Sequence, residues 1–154
     1  MKIPTTTWIP GEGPRPDDAW LHDVDAELLI DVGVRLFERG QGFEAHEAWE
    51  QAWKAAKRDG DVDLERMLRA LIKLAAAMVK VRQANPTGIR DHAHGARVLL
   101  EQLAADGVTE VARFRVAALV DMAQRIETEP PAPAAVGRAL FGPLPRSPCG
   151  PFST

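Results

Sequence analysis

Cysteine is almost missing from this chain. Cys149 is the single one among 154 residues, so no internal disulfide can form and a cysteine-based zinc site is excluded. Long hydrophobic runs are missing too. The longest, LIKLAAAMVKV, is interrupted by Lys73 and Lys80 and is too short to cross a bilayer. The opening stretch MKIPTTTWIPGEGPRP lacks the apolar core of a signal peptide. No charge of one sign dominates: 19 basic residues against 22 acidic ones leave a net −3. That balance gives no electrostatic footprint for nucleic acid and none for an anionic membrane surface. There is no glycine-rich phosphate loop after a strand, no G-x-S-x-G and no H-E-x-x-H or E-x-x-H, so the usual sequence signals of nucleotide binding, serine hydrolases and helical metal sites are absent. A reducing cytoplasm is the expected compartment.

What is present is the composition of an ordinary globular domain, 45% hydrophobic and 27% charged, in a length that favours one core. Pro4, Pro10, Pro14 and Pro16 break up residues 1–22 into an irregular arm. Trp8, Ile9 and Trp20 should dock part of it on the rest. Residues 23–128 read as five helices. The first starts near Asp23 or Asp25 and ends at Gly40 and Gly42. The second covers Phe43 to Arg58, and the third runs from near Asp63 to Asn85. The fourth covers Thr87 to Ala105 and the fifth Thr109 to Thr128. No strand is expected. Residues 129–154 hold seven prolines and read as a tail, either disordered or an extended strap pinned by Leu140, Phe141 and Leu144. AAVGRALF is its one stretch fit for a helical turn. The expected class is all-α, an antiparallel bundle with proline-rich arms at both ends.

The informative stretch is GFEAHEAWEQAW, residues 42–53. At about 100° per residue, setting His46 at zero puts Trp53 near −20°, Glu50 near 40°, Trp49 near −60° and Phe43 near 60°. His46 thus lies in the middle of the apolar stripe, with Glu50 at its edge. Glu44, Glu47, Gln51, Lys54 and Arg58 lie on the other side, which reads as a solvated face. Glu50 also stands four residues before Lys54, the spacing of a surface ion pair. In the third helix, the span Ala70 to Val79 is apolar almost all round except for Lys73. A lysine flanked by helices needs a carboxylate or a path to the surface, and Glu50 and Glu47 are the candidates. His46, Glu47, Glu50 and Lys73 therefore form a candidate polar cluster. Trp49, Trp53, Arg82 and Asn85 are its candidate cleft-lining residues, although Arg82 and Asn85 also suit capping of helix ends. His92 and His94 are two apart, about 200° on a helix, so they diverge, and one of them can face His46. His22 carries no signal.

Two functional classes follow. The first is a binding or interaction domain in which a buried His46–Glu50 cluster fixes helix register, with a second copy of the chain, another protein or a small molecule as partner. The second is an enzyme in which His46 acts as base or metal ligand beside Glu50, with Lys73 and Arg82 suiting an anionic substrate. No cofactor is required, and a divalent metal is the one that the residues would admit.

Gly42, Phe43, Glu44, His46, Glu47, Trp49, Glu50 and Trp53, followed by Leu71, Ile72, Leu74, Ala75 and Asn85, resemble the bacterial and archaeal family catalogued as domain of unknown function 309. The resemblance covers about residues 33 to 103. Ala70, Lys73 and Ala84 stand where that family often has glycine, glutamine and glycine. The resemblance implies a compact all-helical domain and no particular activity.

Overall fold

A computed structural model of the chain describes residues 2–132 and 141–149. Five helices carry it: α1 (Ala26–Glu38), α2 (Gly42–Asp59), α3 (Val62–Arg82), α4 (Pro86–Ala105) and α5 (Val116–Thr128). Each packs chiefly on its neighbours in sequence, as short links between antiparallel helices require. The start of α2 lies against the later part of α3, where Gly42 meets Ala75 and Met78. The chain is an all-α bundle. Among the described residues, no helix is long and apolar enough to cross a membrane.

Side-chain caps set the helix starts. Asp25 accepts the Glu27 amide at α1, Asp61 accepts the Leu64 amide at α3, and Asn85 accepts the Gly88 amide at α4. Each satisfies a donor that the first turn leaves unpaired. Pro86 opens α4 at a position where its missing amide costs nothing. The core runs through all five helices and includes Leu36, Phe37, Trp49, Met67, Leu71, Leu74, Leu100 and Leu119, all fully buried. Trp49 donates its indole N–H to the Ile30 carbonyl of α1, 3.1 Å away. Gly33 makes room for that ring: a Cβ there would lie 2.2 Å from Trp49 Nε1.

The fifth helix departs from the sequence expectation. It starts at Val116, not Thr109, because residues 110–115 form a two-stranded hairpin, β1 (Glu110–Val111) and β2 (Phe114–Arg115). Ala112 and Arg113 turn it, both with positive φ, the conformation that a two-residue hairpin needs. The expectation of no strand is corrected here. Val111 and Phe114 are three apart, a spacing that a helix and this hairpin both place on one side.

Beyond α5, residues 141–149 form an extended strap. Leu144 is buried, its amide donates to Glu38, and Phe141 packs on Phe37 at 5.7 Å between ring centres. Arg146 pairs with Asp31 and bridges to Phe114. For these residues the strap is observed, not a disordered tail. Leu140 and most of AAVGRALF lie outside the described residues.

Candidate functional site

The amphipathic pattern of α2 places His46, Glu47 and Glu50 at one edge of the bundle. His46 Nδ1 lies 3.4 Å from Glu47 Oε1 and 3.7 Å from Glu50 Oε2. One ligand-type atom from each of the three falls within 4.8 Å of the others. The side chains of His46 and Glu50 are 31% and 37% exposed, while that of Glu47 is 11% exposed. The expectation of a buried His46–Glu50 pair is corrected here: both lie at the rim of the bundle, and only Glu47 is buried.

The N-terminal arm does the sealing. Arg15 donates to Glu47 Oε2 at 2.8 Å and sits 5.5 Å from the centre of the Phe43 ring. The Trp8 amide donates to Glu44 Oε2, and the Trp8 ring meets Phe43 edge-on. Gln41 donates to the carbonyls of Pro4 and Thr6, and Gln83 to that of Pro10. A cavity of about 210 Å³ remains between arm and helix, lined by Trp8, Arg15, Phe43, Glu44 and Glu47 among others. The solvated-face expectation is thus corrected for Glu44 and Glu47, both buried beneath the arm. It holds for Lys54 and Arg58, which are exposed.

Burial and charge set the two carboxyls apart. The hydrogen bond from His46 holds Glu47 below the usual carboxylate range against the effect of burial, and the charge of Arg15 adds to it. For Glu44, burial pushes the carboxyl up, opposed by the Trp8 amide and the Thr7 hydroxyl, while the charge of Glu47 adds to the rise.

Other candidates fall elsewhere. Trp49 is core, not the wall of a cleft, since its ring is sealed between α1 and α2. Trp53 is half-buried, with the Lys57 ammonium 5.1 Å from its ring centre. Arg82 donates to the Gly40 carbonyl past the end of α1, and Asn85 caps α4, so both serve helix ends. Among the described residues, Glu50 makes no ion pair with Lys54, and neither Glu47 nor Glu50 pairs with Lys73. The carboxylates turn to His46 and Arg15, and Lys73 instead lies along α4 beside Gly95.

The two histidines of α4 diverge. His94 joins Arg97 and Glu127 at the α4–α5 surface. His92 turns toward α3, where burial and the charges of Lys73 and Lys80 push its imidazole down, with a smaller contribution from His46. Sequence reasoning missed Arg15 and Glu44. Their signal is two carboxylates three residues apart, beside an aromatic, facing an arm that brings an arginine and a free amide.

Three ionisable ligand atoms on one helix, one imidazole and two carboxylates, form a donor set suited to a divalent ion of the zinc or manganese type. Ligands about 2.1 Å from a tetrahedral ion stand roughly 3.4 Å apart, the separation already present between His46 and Glu47. Arg15 on the outer oxygen of Glu47 fixes the orientation of that carboxylate, as hydrogen-bonded partners do for metal-binding groups. No curated protein and no solved structure matches the chain. The family model described as a domain of unknown function (DUF309) matches residues 30–91, from within α1 to within α4 and through the whole His46–Glu50 cluster, and over that stretch the chain is similar to this family.

Proposed function

We propose that this is a binding domain whose ligand is a divalent cation held by His46, Glu47 and Glu50. One observation carries the reading: the three ligand atoms lie within 4.8 Å of one another, on a rigid helix rather than a loop. Glu47 is ionised at neutral pH, its carboxyl held low, so it needs no deprotonation to serve. With His46 neutral and its proton on Nε2, Nδ1 exchanges its hydrogen bond to Glu47 for the ion, and Glu47 and Glu50 supply two negative charges, one of them shared with Arg15. Half-exposure of His46 and Glu50 leaves an approach from solvent and room for further ligands. Rotation of Glu50 about its side-chain bonds would draw its oxygen in from 3.7 Å. The same three residues would also serve the register of α2 against the arm in the absence of an ion.

Equilibrium dialysis of the full, untagged chain against zinc and manganese tests this. We expect about one ion per chain, with affinity reduced at least tenfold, roughly 1.4 kcal/mol, in His46→Ala and in Glu50→Gln. Circular dichroism would check that both variants remain folded. Equal uptake by the wild type and His46→Ala would sink the reading, as would no uptake by either.

A further inference from the structure

The face of α3 toward solvent is a single stripe. Ile72, Lys73, Ala76, Val79 and Lys80 are partly exposed, while Leu71, Leu74, Ala75, Ala77 and Met78 are sealed. Lys73, Ala76 and Lys80 fall within about 60° of one line along the helix. α2 packs on one flank of α3 and α4 on the other. His46 and Glu50 on α2, and Gly88, His92 and Gly95 on α4, are likewise partly exposed. The stripe therefore forms an open strip, the α3 groove, between the partly exposed edges of α2 and α4.

Two glycines position its lysines. A Cβ on Gly95 would lie 3.0 Å from Lys73 Cδ and 3.5 Å from its Nζ, and one on Gly88 would lie 2.8 Å from Lys80 Cδ. Both stems rest on α4 where side chains are missing, one a turn before His92 and one a turn after. Neither ammonium has a carboxylate within ion-pair distance among the described residues. The charges of both bear on His92, with Asp91 opposing them. An oxyanion beside these groups would favour the charged form of His92.

We propose that this groove is an anion subsite for a small phosphate-bearing molecule, with Lys73, Lys80 and His92 around the phosphate. Lysine suits the task as a point charge on a flexible stem. The subsite stands on its own residues. Only its pairing with an ion at His46, on the α2 side of the same groove, rests on the cation reading. An ion there and a phosphate at Lys73 would then share one ligand.

The test is titration of the full chain with inorganic pyrophosphate in EDTA, followed by calorimetry and by the imidazole C–H resonances. EDTA removes any ion, so failure of the cation reading leaves this experiment intact. We expect saturable binding with a dissociation constant of about 1 mM or tighter. The His92 resonance should shift most, with its titration midpoint moved to higher pH, and Lys73→Gln/Lys80→Gln should weaken binding at least tenfold. Unchanged affinity in that double variant would overturn the proposal, as would a stationary His92 resonance. A single-stranded oligonucleotide that binds more tightly than pyrophosphate would assign the groove to nucleic acid and overturn it equally.

Discussion

Single residues decide how α2 is held. Trp49 is fixed on one side by its bond to the Ile30 carbonyl and on another by the bare backbone of Gly33. Gly33→Ala would drive a methyl group into a ring that cannot retreat. We expect a loss of about 1–3 kcal/mol in urea unfolding, whereas Ala at an exposed helical position would be neutral or favourable. Glu44 and Glu47, one turn apart, have opposite pH signatures. Glu47 titrates below its ordinary 4.5 when folded, so its contribution is complete above 4.5 and is lost as pH falls through the folded value. Glu44 titrates above 4.5 when folded, so stability is lost as pH rises from 4.5 through its folded value. Glu47→Gln should therefore lower the unfolding midpoint at pH 7 and matter little in strong acid. Glu44→Gln should gain on the wild type as pH rises past 4.5. Midpoints that move together in both variants would contradict the assignment.

At the scale of elements, the sequence was most legible where local chemistry and pattern agree. Asp25 and Asn85 mark helix ends in the chain and in the structure alike. Asn85→Ala should cost about 1 kcal/mol of stability by thermal or urea unfolding, with little change elsewhere. The hairpin was not legible, because Ala112 and Arg113 are poor sequence signals for a turn with positive φ. Such a turn is usually written with Asn or Gly. The same fact yields a prediction: Ala112→Gly relieves the left-handed strain and should raise stability by up to about 1 kcal/mol, and a drop in the unfolding midpoint would refute it. The arm was legible only as apolar residues in need of cover. Its polar anchors to Glu44, Glu47 and Gln41 pair groups more than thirty residues apart, a relation that helical periodicity cannot carry. Arg15→Ala should speed amide exchange and proteolysis across the arm while leaving the α3–α4 contact protected.

At the scale of the whole molecule, sequential packing of α1 to α5 makes α3 central, with α2 and α4 on either flank. That order turns two unrelated patterns, an imidazole with carboxylates on α2 and a pair of lysines on α3, into neighbours on one face. The cluster at His46 and Glu50 could be read from the turn of a single helix. The role of Lys73 could not, since the partner expected for it was a carboxylate and what it found was the gap at Gly95. The family match over residues 30–91 covers the cluster and both lysines but ends one residue before His92. The central claim is that His46, Glu47 and Glu50 converge to hold a metal ion. Anomalous-difference density from crystals grown with zinc tests it most directly. The account predicts a peak with the His46 nitrogen and oxygens of Glu47 and Glu50 about 2.0–2.2 Å away; three side chains turned apart with no peak among them would contradict it.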